Sequence, residues 1–163
     1  MPYEDACRAS ELVVLAVPWR AAVGTAARLR PVLAGRVLVD ATNPVTADWS
    51  RLDVGEGGLS GAERIAAAAG GVAVIKAFNG LKAELVDDPA HGPPVRQVWC
   101  CGDPDEARAR VMTLAARCGF LPVDCGTLEN ALCLEAAALL WIRLAYWEGR
   151  GEGLRLVLDS GAG

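Results

Sequence analysis

The sequence predicts an α/β fold in which a mostly parallel sheet is covered by helices on both faces. Three observations carry that expectation. Short β-branched runs alternate with helical stretches along the 163 residues. The run at residues 12–17, Leu-Val-Val-Leu-Ala-Val, is apolar throughout, as a strand buried on both faces should be. A long segment near the C-terminus, residues 129–147, has the length of a helix and is apolar nearly all round in its middle, so it belongs in a core or against a partner subunit.

Taken in order, the strand at 12–17 is followed by a helix over 19–30, with Pro18 favouring its first turn and Pro31 expected to stop it. Val37, Leu38 and Val39 form the next strand, ending at Asp40. The polar, glycine-bearing stretch 42–61 is too long for a plain connection and reads as a functional loop or flap. A short helix over 62–69 takes Ser60 as its cap. A third strand covers 72–75, a helix lies near 82–86, and a proline- and glycine-bearing loop covers 87–94. The strand at 98–101 leads to a helix whose start signals are Asp103 as cap, Pro104 in the first position and Glu106 three residues after the cap. Ala107, Val111, Leu114, Ala115 and Cys118 share a face of that helix, and Gly119 closes it. Pro122 confines the strand at 121–123 to a sheet edge. A glycine-rich segment at 149–153 precedes a strand-like piece at 154–158.

Composition narrows the function. Hydrophobic residues at 53% and charged residues at 22% describe a globular chain. The net charge of -4 and scattered Lys/Arg argue against nucleic acid as a partner. No apolar run approaches the ~20 residues needed to span a bilayer, and the first ten residues, with Glu4, Asp5 and Arg8, do not read as a secretory signal. A cytoplasmic protein without a membrane partner is expected. The six cysteines show no C-x-x-C spacing and the single His91 sits in the loop at 87–94, so reduced thiols rather than a metal site are expected. Cys100 and Cys101, neighbours in a strand, point to opposite faces.

In parallel sheets of this kind ligands bind beyond the carboxyl ends of the strands. Those ends read Val17-Pro18-Trp19, Asp40-Ala41-Thr42-Asn43-Pro44 and Lys76-Ala77-Phe78-Asn79-Gly80. Asp40 falls near the offset of a ribose-binding acid, but no glycine in Val17-Pro18-Trp19 lets a pyrophosphate approach the backbone, so local hydrogen bonding is the expected role of Asp40. Gly149, Gly151 and Gly153 follow a helix and precede a strand, the reverse of a phosphate loop, and read as a turn.

Together with Cys101-Gly102-Asp103, the stretch from Pro122 to Asn130 and Leu140-Trp141-Ile142-Arg143-Leu144-Ala145-Tyr146, these strand ends resemble the family of F420-dependent NADP oxidoreductases, whose cofactor domain is shared with reductases of the STEAP type. The resemblance runs along essentially the whole chain. It implies a partial Rossmann-like, doubly wound, mostly parallel sheet with a long C-terminal helix, and hydride transfer between NADP(H) and coenzyme F420 or a related flavin-like acceptor. Residues 1–126 would be the remaining part of the nucleotide domain, and residues 127–163 a C-terminal helix-and-strand segment of the same unit that meets substrate or a second copy.

Carried over residue by residue, the resemblance implies that Val17, Pro18 and Trp19 line the cofactor, with Val23 beside them one turn into the helix. Asn43 and Pro44 would lie near the nicotinamide, Ala77, Phe78 and Asn79 would flank its ring, and Ala83 would approach it from the following helix. Gly153 and Leu154 would touch the deazaflavin. No catalytic side chain is implied, because the hydride is carried by the cofactors and the protein orients them.

The family pattern opens with a strand, a glycine-rich turn and a helix that find no counterpart here, and the first residues resemble the family just before its fourth strand. On that reading the chain is N-terminally truncated and binds NADP weakly by itself. The apolar strand at 12–17 would then offer an edge to another chain, a homodimer being expected. The rival expectation is a non-catalytic remnant acting as a dimerisation or scaffold module.

Overall fold

In the computed structural model, residues 3–81, 96–151 and 153–159 are described. Five strands lie in the order β1-β2-β3-β4-β5: β1 (Leu12–Leu15), β2 (Val37–Asp40), β3 (Ala73–Lys76), β4 (Gln97–Asp103) and β5 (Leu121–Asp124). β1, β2 and β3 are parallel, β4 runs antiparallel to β3, and β5 is parallel to β4. The sheet is the mostly parallel one that the alternation predicts. β5 is an outer strand, as its proline requires.

Alternation along the strands splits the core between the two faces. Leu15, Leu38 and Val74 face α2 (Trp19–Leu33) and α3 (Gly61–Ala69) through Ala22, Ala26, Leu29, Leu33, Ile65 and Ala69. Val37, Val39, Ile75, Val98 and Cys100 face Ala107, Val111 and Ala115 of α4 (Asp105–Arg117). Cys100 therefore belongs to the α4 side. Cys101 packs on the opposite face with Ala62, Ala131 and Leu134. All four residues of β2 are buried, as befits a strand inside the sheet.

Several local signals are realised. Ser60 and Glu63 form a reciprocal capping box at the start of α3, and Gly70 ends it with φ +70°. Gly119, at φ +85°, follows α4. The C-terminal segment is helical over twenty residues in three parts: a 3₁₀ turn Leu128–Asn130, α5 (Ala131–Ile142) and a π-helical turn Arg143–Trp147. A short helix, α1 (Tyr3–Arg8), precedes β1.

Four expectations need correction. The run at 12–17 is a strand only over Leu12–Leu15, and it is not buried on both faces: β1 is an outer strand and Val14 is half exposed. Pro31 does not stop α2, which runs on to Leu33; near a helix end only one backbone bond is forfeited and the apolar Leu33 gains full burial. Asp103 does not cap α4. Its Oδ2 instead accepts the Leu128 backbone N–H at 3.0 Å, tying β4 to the C-terminal segment, while Pro104 occupies the cap position. Residues 154–158 form no strand, because Leu158 is held by both its N–H and its C=O to the Gln97 side chain instead of to a neighbouring backbone. The expected helix at 82–86, the loop at 87–94, Ala83 and His91 lie outside the described residues.

Candidate functional site

The carboxyl ends of β1, β2 and β3 are stitched together by the chain leaving them. Ala41 N–H donates to Leu15 O at 3.2 Å and Ala77 N–H to Asp40 O at 3.1 Å, extending the parallel ladder past the last paired residues. Beyond that, Asn43 Nδ2 donates to Asn79 O at 2.8 Å and Asn79 Nδ2 to Asn43 Oδ1 at 3.2 Å. Asn79 Nδ2 also donates to Leu134 O, which brings α5 to the same place. Asn43 and Asn79 thus form a reciprocal pair at the mouth of the sheet.

Beneath this pair lies a fully buried charge cluster. Lys76 Nζ is 2.8 Å from Asp40 Oδ2 and 3.0 Å from Glu135 Oε1, with all three side chains shielded from solvent. Its third hydrogen reaches Thr42 O at 2.7 Å, so every ammonium donor has an acceptor. Asp40 Oδ1 accepts the Thr42 N–H and Oγ1–H, which realises its expected local role. Glu135 accepts the Gly61 and Ala62 backbone N–H groups at 3.0 and 3.1 Å. Those donors belong to the first turn of α3, where they have no intrahelical partner and the helix dipole favours negative charge. The cluster therefore fixes the loop after β2, the end of β3, the start of α3 and the middle of α5 relative to one another.

The loop after β2 folds back over the end of β1. Val45 and Leu52 form an isolated antiparallel bridge, and Asp48 accepts from Thr46 Oγ1, Ser50 N and Ser50 Oγ. Those bonds hold the Asp48 carboxyl down at about 2. Further on, Asp53 Oδ2 accepts the Trp19 indole N–H at 2.6 Å. Arg64 lies with its guanidinium carbon 4.8 Å from the Trp19 ring centre and donates to Asp53 O. The stretch expected to be a flap is thus latched onto Trp19.

The expected cofactor residues are distributed unevenly around this frame. Val17, Trp19 and Val23 are half-buried and Pro18 is exposed at the end of β1 and the start of α2. Asn43, Phe78 and Asn79 sit at the neighbouring strand ends, with Phe78 at φ +65°, a strained value for a non-glycine residue. Pro44 and Ala77 are fully buried, and Pro44 covers Gly61, where an added Cβ would lie 2.9 Å from its Cγ. Gly153 is exposed; Leu154 is half-buried and its carbonyl accepts the Trp141 indole N–H at 2.7 Å.

Beyond β3 the antiparallel β4 projects past the end of its neighbour, because the pairing stops at Lys76 opposite Cys101. That overhang floors a cleft whose walls include Phe78, Trp99, Leu134, Ala138, Trp141 and Leu156. Phe78 and Asn79 belong to both the strand-end frame and this cleft.

Comparison with known proteins agrees with this geometry. Residues 1–44 match the model of the NADP oxidoreductase, coenzyme F420-dependent, family. The F420-dependent NADP reductase of Methanothermobacter marburgensis is 31% identical over 148 residues, which are 86% of this chain and 65% of that protein. The chain is thus similar to F420-dependent NADP oxidoreductases along most of its length. The crystal structure of a protein from Arthrobacter sp. FB24, assigned as an F420-dependent NADP-reductase, superposes with a TM-score of 0.84 at 26% identity, covering 98% of this chain and 74% of that one. Metalloreductase STEAP3 of Rattus norvegicus is 36% identical over 137 residues, 83% of this chain. The chain spans about a quarter of that relative (26%). Among the described residues no group of His, Cys, Asp and Glu is arranged to hold a metal, and no helix is long and apolar enough to cross a membrane.

Sequence reasoning missed Lys76, Glu135, Asp53 and Arg64. A lysine ending the run Val74-Ile75-Lys76 and a glutamate inside the apolar segment 131–142 were the available signals. A charge at a position that the pattern buries needs a partner.

Proposed function

We propose that the chain holds the ring end of an NADP(H) site and takes part in hydride exchange with a planar deazaflavin, coenzyme F420 or a related flavin-like acceptor. The observation that supports this best is the convergence of Val17-Pro18-Trp19, Asn43 and Phe78-Asn79 beyond three adjacent parallel strands, beside an apolar cleft.

The nicotinamide supplies the hydride chemistry when bound, and the residues described supply shape and orientation. Val17, Val23 and Trp19 offer apolar surface for one side of a ring. Asn43 Nδ2 carries two hydrogens and spends one on Asn79 O, leaving a donor suited to a carboxamide oxygen. Phe78 is fixed by its edge-on contact with Phe120, ring centres 6.2 Å apart, which offsets the roughly 1 kcal/mol or more of backbone strain. Pro44 and Ala77 act from behind, through packing. The charge cluster around Lys76 keeps these loops in register without touching a ligand.

A titration of the purified protein with NADPH, followed by tryptophan fluorescence, tests the reading. Saturable quenching that exceeds the effect of NADH and is lost in Trp19→Phe is expected. A folded protein that shows no binding at millimolar NADPH refutes the cofactor site.

A second reading, association without catalysis, draws on a different observation. Val14 on the outer strand β1 is 51% exposed, and Leu140, Tyr146 and Trp147 on the C-terminal helical segment are about half exposed. A homodimer formed through the helical face is the proposed assembly, compatible with either function. Leu140→Glu is expected to halve the mass seen by light scattering, and an unchanged mass in a folded variant removes the helical interface.

A further inference from the structure

Trp19 owes its orientation to two residues outside its own helix. Asp53, on the loop after β2, accepts the indole N–H through Oδ2 at 2.6 Å, a short, charge-assisted bond. Arg64, on α3, places its guanidinium carbon 4.8 Å from the ring centre, over one face of the indole. The two are also bound to each other. Arg64 Nη1 donates to Asp53 O at 2.9 Å and lies 3.4 Å from Asp53 Oδ1. Trp19, Asp53 and Arg64 therefore form a closed ring of contacts drawn from three separate segments. The hydrogen bond aims the N–H edge, and the cation covers one face, so an incoming ring has only the opposite face to lie against.

The surroundings hold Arg64 in that place. Its side chain crosses Gly55, where an added Cβ would lie 2.8 Å from Cδ and 3.3 Å from Cγ. Gly55 has φ -72° and ψ 173°, ordinary values for any residue, so its backbone does not require a glycine. What the glycine supplies is room for the arginine. The start of α3 is in turn pinned to Glu135 through the Gly61 and Ala62 N–H groups. The Asp53 side chain is 45% exposed and that of Arg64 29%, and an ion pair so open to water contributes little to stability. An arrangement that adds little stability yet converges on one indole points to a task at the indole.

We propose that Asp53 and Arg64 are positioning residues for the cofactor, holding Trp19 in one orientation so that a single indole face is offered to the nicotinamide nucleotide. This rests on the reading of Val17-Pro18-Trp19 as part of the NADP(H) site and deepens it. The two residues act through Trp19 without touching the ligand. An indole fixed before binding loses little freedom when the ligand arrives, and the difference appears in the dissociation constant.

Isothermal titration calorimetry of the full chain with NADPH, run beside urea melts, separates this role from a structural one. Asp53→Ala and Arg64→Met should each weaken NADPH about fivefold, the effect of leaving one side chain to be ordered on binding. In a Trp19→Leu background, which offers neither an N–H nor a ring face, the same two changes should have no effect. Asp53→Asn keeps an acceptor oxygen and should retain most of the affinity. Gly55→Ala, which crowds Arg64 and removes no charge, should reproduce the loss seen in Arg64→Met. Equal weakening in both backgrounds, unchanged affinity in Asp53→Ala and Arg64→Met, or a loss in Asp53→Asn as large as in Asp53→Ala would each overturn the proposal. The last two comparisons hold even where the Trp19→Leu background binds too weakly to measure. A loss of affinity that only tracks the loss of folded protein in the melts would overturn it as well. If the unsubstituted protein binds NADPH and the variants do not differ from it, the positioning role alone fails. If the folded, unsubstituted protein binds no NADPH, the cofactor reading fails with it.

Discussion

Replacing Lys76 by methionine tests whether the buried cluster organises the site. Methionine keeps the length of the side chain and deletes the ammonium group that lies 2.8 Å from Asp40, 3.0 Å from Glu135 and 2.7 Å from Thr42 O. Two carboxylates with no solvent exposure would then share a space without a cation. Breaking a buried pair by removing one partner costs about 3–5 kcal/mol. The cost should not double for two pairs, because Asp40 keeps its bonds from Thr42 and Glu135 keeps those from Gly61 and Ala62. Against a typical total stability of about 5–15 kcal/mol this is a large fraction. With a urea m-value of about 2 kcal/mol/M, the midpoint should fall by about 1.5–2.5 M. Lys76→Met combined with Asp40→Asn and Glu135→Gln should recover part of the loss, since the stranded charges are then removed. A single-variant shift below about 0.5 M, or no recovery in the triple variant, would refute the assignment of a structural charge cluster.

Other outcomes follow from the same geometry. Gly102→Ala should destabilise by about 2 kcal/mol or more in denaturant melts, because φ is +146° there and an added Cβ would lie 2.4 Å from Val74 O; a neutral change would show that β3 and β4 do not approach this closely. Burial pushes the Cys100 and Cys101 thiols up to about 12 from an ordinary value of 9.0. The unfolded chain then binds fewer protons than the folded one between those values, so stability should be full below pH 9 and fall as pH rises toward 12, visible as a declining urea midpoint. Under native conditions near neutral pH iodoacetamide should label the exposed Cys133 and spare Cys100 and Cys101, by peptide mass mapping. Asp53→Ala removes the 2.6 Å bond to the Trp19 indole and should shift the Trp19 emission, read as the difference from a Trp19→Phe background, at a stability cost of about 1 kcal/mol; unchanged emission would mean that the loop is not latched.

The sequence exposes those parts of the structure that short-range physics sets. The apolar run of β1, the Ser60 capping box and the buried face Ala107, Val111 and Ala115 each depend on residues within a turn or two of one another. Pro31 and Asp103 misled for the opposite reason, since tertiary burial of Leu33 and a bond to Leu128, 25 positions away, outweighed the local signals. The same limit applies to the site. The strand ends were legible because a parallel sheet places them side by side, and so was the local role of Asp40. The Asn43–Asn79 pair and the meeting of Lys76 with Asp40 span 36 positions, and the bond that the Gly61 N–H donates to Glu135 spans 74. No local pattern pairs residues at such separations. What the sequence did contain was the anomaly of a lysine and a glutamate in segments otherwise built to be buried.

The most direct measurement follows the hydride itself. NADPH deuterated at nicotinamide C4 would be incubated with the protein and a deazaflavin acceptor, and the reduced acceptor examined by mass spectrometry. Direct transfer between rings held face to face leaves the label on the acceptor ring, with deuterium from one of the two C4 positions transferred and the other retained. A folded protein that binds both molecules but yields no reduced acceptor above the uncatalysed rate, or reduced acceptor carrying only solvent hydrogen, would contradict the proposed function.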